Sequence, residues 1–160
     1  MGATEALVAL ILATPFALAA AITDLRSMIV PNRLTGAAAF VFLGFVFATL
    51  PLDQALWRLA GGALVFGIGF LLFIARMVGG GDAKTAAAFA PMIAPRDAGV
   101  VLVLLAFSAL IGLVVIAALR RTRLGEGPWE VWSARGRFPY AVALATTLIA
   151  YLALVAYHEI

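Results

Sequence analysis

The chain has 160 residues, 65% of them hydrophobic and 12% charged, with a mean hydropathy of +1.12. A soluble domain is about half apolar and about a quarter charged, so this composition belongs to a polytopic membrane protein, a single domain over residues 1–160 built as one helical bundle. Cysteine is absent and the one histidine is His158, which excludes disulfides, thiolate nucleophiles and Cys-based zinc sites and argues against a His-rich metal cage or a Ser-His-Asp triad, while the net charge of +3 is read as basic residues gathered on one side of a membrane.

A span needs about 20 mostly apolar residues to cross a core of about 30 Å. The first runs from about Ala6 to Ile22; no basic segment precedes it, and Glu5 does, so we expect a retained span and not a cleaved leader. Leu34–Leu50 is the second. Leu56–Val78 is the third, with Arg58 and Arg76 near its ends, where long basic side chains snorkel. Its glycines at 61, 62, 67 and 69 let neighbouring helices approach closely. The stretch Ala83–Pro95 is short, about 20 Å as a helix, and contains Pro91. Ala98–Leu119 is an uninterrupted apolar run, and about Pro139 to Tyr157 is the last span.

Charge arbitrates the short segment. If it spans, one side carries Arg26, Arg33, Arg76, Lys84, Arg120, Arg121, Arg123, Arg135 and Arg137, and the other only Arg58 and Arg96. If it does not, the split is nearly even. The positive-inside rule prefers the first arrangement. The expected fold is therefore an all-α integral membrane bundle of six transmembrane helices, the fourth short, with both termini outside. The loops at 23–33, 77–84 and 120–138 face the cytoplasm. Trp129, Trp132 and Tyr140 among the arginines of the last loop are read as interfacial anchors beside lipid headgroups, not as a nucleic-acid surface.

Of the eight acids, Glu5, Asp53, Asp97 and Glu159 fall at outer loops or termini, and Glu126 and Glu130 in the long inner loop; each is expected only to face water. Asp24, at the inner end of helix 1, and Asp82, at the inner start of helix 4, remain, on the same side at similar depth. Taken singly, Asp24 reads as a loop residue and Asp82 as a helix N-cap. As a pair they suit chemistry. Two close carboxyls share a proton, so one activates water while the other protonates a carbonyl oxygen or leaving amine. The glycines at 79–81 leave room for a substrate backbone and tolerate φ > 0.

These residues resemble a known family. "GGGDAK", Gly79 to Lys84, is similar to the G-x-G-D-x-K signature of the type IV prepilin leader peptidases, intramembrane aspartic proteases of the GxGD class. "DLRSMIVPNRLT", Asp24 to Thr35, resembles the family's D-x-R-x-x-x-I-P-N-x-L-T segment, with Val30 where isoleucine is usual. "FPYAVALA", Phe138 to Ala145, resembles the start of the last helix, with Ala141 where glycine is common. The resemblance implies that Asp24 and Asp82 are the catalytic pair and Gly79 and Gly81 the motif glycines. Lys84, Arg26 and Arg33 are candidates for substrate binding or tuning of the acids, Asn32 and Pro31 for shaping the turn into helix 2, and Tyr140 for packing near the site. No cofactor or metal is expected. The absence of cysteine and the short first loop point to the peptidase-only Tad/Cpa-type branch without N-methyltransferase activity. It would remove basic leaders from Flp-type prepilins and pseudopilins at the cytoplasmic face of a bacterial inner membrane. The expected partners are those substrates and membrane lipids, not nucleic acid. The rival readings are a proton-coupled membrane component and a non-catalytic scaffold of a pilus or secretion machine.

Overall fold

The computed structural model describes residues 2–122, 127–134 and 136–158. Its helices are α1 (Ala3–Ser27), α2 (Asn32–Thr49), α3 (Leu52–Ile74), α4 (Gly80–Phe89), α5 (Ala98–Leu119), α6 (Glu130–Ser133) and α7 (Tyr140–His158); 3-10 turns at Ala90–Met92 and Pro95–Asp97 join α4 to α5. No strand occurs among the described residues. Among the described residues, five helices are long and apolar enough to cross a membrane: α1, α2, α3, α5 with its preceding turn, and α7. Arg123, Glu126, Arg135 and Glu159, assigned sides above, lie outside the described residues.

The centre of the bundle is α1 against α7. Ala6, Ala9, Ala13, Ala17 and Ala20 are all at most 1% exposed and recur at helical spacing. On α7 the facing stripe includes Ala141, Ala145, Leu148 and Leu152. Methyl-sized side chains let two helices approach closely without voids. Asp24 falls on the next position of the α1 stripe and is buried with it. Met28 then ends the helix in the left-handed region at φ 52, its N–H donating to the Asp24 carbonyl at 2.8 Å.

Helix α3 holds the α4 segment along its length. A Cβ at Gly69 would lie 2.9 Å from the Ala83 methyl, and one at Gly62 3.4 Å from the Pro91 ring. Nothing lies within 4 Å of such an atom at Gly67. The close approach expected of this span is therefore made by Gly62 and Gly69, and the two segments run antiparallel. Arg58 turns into the bundle. It is buried, and its Nη1 donates to the Pro91 carbonyl at 3.1 Å, because the 3-10 turn leaves that carbonyl without a helical partner. Asp97 does more than face water: Tyr151 Oη donates to it at 2.8 Å and accepts from the Ala94 N–H at 3.1 Å.

Helix α5 is apolar all round and has one buried residue, Ile116, as expected for a helix that faces lipid on most sides. The one-turn α6 lies in the stretch read above as a loop. Val131 is fully buried there, and Arg120 Nε and Nη2 donate to its carbonyl at 3.1 and 2.6 Å. Arg120 Nη2 also reaches the Ala134 carbonyl at 3.1 Å, so a guanidinium at the end of α5 satisfies the carbonyls that so short a helix leaves open.

Candidate active site

Asp24 is 4% exposed, and its Oδ2 accepts from the Ala141 backbone N–H at 2.9 Å. Ala141 is the second residue of α7, and N–H groups of a first helical turn have no partner within their own helix. The carboxylate at the end of α1 thus caps α7. Pro139, fully buried just before α7, brings no N–H of its own.

Asp82 is the third residue of α4, and Gly79 is its N-cap. The carboxylate folds back over that glycine so closely that a Cβ at 79 would lie 2.7 Å from Asp82 Oδ2. Gly80 faces the Phe73 ring, where an added Cβ would sit at 3.2 Å. At Gly81 the nearest atom would be the Val30 nitrogen at 3.7 Å, an ordinary contact. Gly79 has φ −68, and no positive φ occurs at 79–81. The freedom in φ expected of these glycines is not used; at Gly79 the requirement is steric. Asp82 lies outside the five long apolar helices. Burial first, then the nearby Asp24 carboxylate, push its carboxyl up to about 6, against a hydrogen bond from the Gly79 N–H that pulls it down.

Both acids line one cavity of about 610 Å³. Gly79, Met28 and Tyr140 line it too, as do Phe73 near the end of α3, Arg76 in the turn after it, and Gly136, Arg137 and Phe138 before α7. Arg76 and Gly136 turn the chain at its rim with φ 58 and φ 82. Phe138 and Tyr140 meet edge to face, ring centroids 5.2 Å apart. An apolar cavity of about 260 Å³ adjoins: Asp82 and Tyr140 line it together with Leu102, Leu105, Ala106, Ala109 and Leu144. A carboxyl pair therefore sits where a polar recess from the loop side meets an apolar groove between α5 and α7.

The other candidates lie elsewhere. Lys84 Nζ donates to Asn32 Oδ1 at 3.0 Å, joining α4 to the start of α2, and both line a separate cleft with Thr35 and Phe66. The Arg26 guanidinium lies over the Trp129 ring, 5.4 Å from its centroid, and Arg33 is exposed. Gly81 packs on Val30 and does not line the cavity. Of the candidates, the cavity brings together Asp24, Asp82, Gly79 and Tyr140. Arg76 was read above as a snorkelling inner-side charge and Arg137 as an inner-side charge; their place at its rim depends on chain reversals that no local pattern announces.

A model of the type IV leader peptidase family matches residues 11–117, a stretch that includes Asp24 and Asp82. Comparison with curated proteins gave no match, and comparison with solved structures gave none.

Proposed function

This chain belongs to the type IV leader peptidase family, and on that premise we propose that it is an aspartic endopeptidase working through Asp24 and Asp82. The observation that carries this reading is the shared cavity: two acids distant in sequence line one recess, and one of them has its carboxyl raised by burial and by the other. Asp24 takes a proton from water as the water oxygen bonds to the scissile carbonyl carbon, and Asp82 gives its proton to the carbonyl oxygen. Collapse of the tetrahedral species breaks the C–N bond: the amine leaves with the proton that Asp24 took up, and one hydroxyl of the former gem-diol returns a proton to Asp82, which leaves the carboxylic acid product and the pair in its starting state. The substrates are Flp-type prepilins and pseudopilins, with the basic leader in the polar recess and the following apolar segment along the α5–α7 groove. No methyltransferase step is part of this activity.

The reading includes a topology. The α4 segment, extended by its 3-10 turns, runs antiparallel along α3 from Gly69 to Arg58, which supports a sixth crossing. The basic residues then gather at the aspartate end, which supports a cytoplasmic site in a bacterial inner membrane, both termini on the far side. A proton-coupled carrier would place its acids near the bilayer midplane; here they stand at the last turn of α1 and the first turn of α4. The test is co-expression of a Flp-type prepilin with wild type, Asp24→Asn and Asp82→Asn. Each variant is expected to leave the leader uncleaved, and normal leader removal by either would overturn the assignment.

A further inference from the structure

We propose that the end of the bundle opposite the aspartates carries a binding site for a phosphate group, supplied by an anionic phospholipid headgroup. Arg58 lies in the second turn of α3, about 22 Å along the axis from Phe73 in the aspartate cavity at 1.5 Å per residue. It is 4% exposed. A guanidinium has five N–H donors in a rigid fork, and Arg58 makes one hydrogen bond, from Nη1 to the Pro91 carbonyl. The side chain lines a cavity of about 320 Å³ with Gln54, Trp57, Ala94, Pro95 and Arg96.

The charge around this cavity is unbalanced. Arg58 and Arg96 both line it, and no acid among the described residues does. Arg96 Nε pairs with Asp97 Oδ1 at 3.7 Å, and the other Asp97 oxygen accepts from Tyr151. Asp97 and, more weakly, Glu5 act on Arg58 through space, the Glu5 carboxylate accepting from the Gly2 N–H. The charged side chains that line the cavity are both positive, and a phosphodiester carries one negative charge. No buried side-chain nitrogen among the described residues lacks a partner, so the remaining Arg58 donors open into the cavity and not into the packed interior, and the planar fork of arginine matches phosphate oxygens two at a time. Gln54 adds an amide donor.

The depth favours a lipid over free phosphate. Trp57 beside the cavity is 69% exposed and Leu56 50%, the pattern of an aromatic at headgroup level with apolar surface next to it. A headgroup phosphate in the cavity leaves its acyl chains on that apolar surface; inorganic phosphate has nothing to place there.

The experiment uses the full chain in detergent micelles, with thermal unfolding and native mass spectrometry as readouts. The probes are phosphatidylglycerol, phosphatidylcholine and inorganic phosphate. Phosphatidylglycerol is expected to raise the unfolding temperature and to stay bound in the gas phase, with a weaker effect of phosphatidylcholine and none of inorganic phosphate. Arg96→Gln, at a side chain 76% exposed, is expected to weaken phosphatidylglycerol binding about five-fold, the worth of one basic residue near an anionic surface. Arg58→Lys, which keeps the charge and loses the fork, should weaken it as well, whereas Arg121→Gln at the aspartate end should not. Unchanged binding to Arg96→Gln would overturn the proposal. So would stabilisation by inorganic phosphate without a preference among lipids, which would make this a free-phosphate site.

Discussion

Asp82 and Gly79 form one structural unit, because the carboxylate occupies the space that any side chain at 79 would need. Gly79→Ala must push that carboxylate aside. A displacement of about 1 Å costs on the order of 100-fold in rate, so leader cleavage should fall by about that factor while the unfolding temperature in detergent stays near wild type. The raised carboxyl of Asp82 gives a second expectation. With Asp82 as the proton donor, cleavage should decline as pH rises through about 6, and a rate profile between pH 5 and 8 checks this. The sign for stability is the same: the folded state holds this proton more tightly than the unfolded chain, so the contribution is complete below 3.8 and lost as pH rises through about 6. At this scale the acids themselves were legible, since a charge beside a glycine run in so apolar a chain stands out. The partner of Asp24 was not, because a backbone N–H in a distant helix leaves no mark in the local sequence.

Among the elements, the long apolar runs announced themselves by length and composition, and α5 begins and ends where its sequence says. The glycines of α3 were read as a group, although only the two that meet Ala83 and Pro91 touch the α4 segment closely. Which side of α3 meets that segment is decided by where the chain returns, not by the glycines. Helix α6 escaped notice because four residues carry no periodicity; it exists through the Arg120 hydrogen bonds and the burial of Val131. The alanine stripe of α1 did carry a readable signal, and continuing its spacing reaches Asp24. The α5–α7 groove yields an expectation of its own. Ala106→Trp puts an indole into a cavity of about 260 Å³ from an exposed position on α5. It should raise KM for a full prepilin several-fold with little change in kcat, and leave a short leader peptide without the apolar segment unaffected. Steady-state kinetics on the two substrates separate these outcomes.

Across the whole molecule, the three similar segments converge on one end of the bundle, yet by different means. The Asp24 and Asp82 segments supply the carboxyls, and the Tyr140 segment supplies the helix that Asp24 caps. Lys84 and Asn32 belong to the same segments and bind one another on another side of α4, so order along the chain revealed the neighbourhood and not the cavity. The cap on α7 can be tested by comparing Asp24→Asn, whose amide oxygen still accepts from Ala141, with Asp24→Ala, which cannot. Both should be inactive, but the alanine variant should lose about 1 kcal/mol more, read as a lower unfolding temperature. This double duty also has a temporal side. If Asp24 takes up a proton in each turnover as proposed, the anionic grip on the first turn of α7 slackens, and it tightens again when the proton departs. Turnover would then be written into the position of the last helix as a tick of a clock, one beat per bond cut, and a spin label near the start of α7 could hear it.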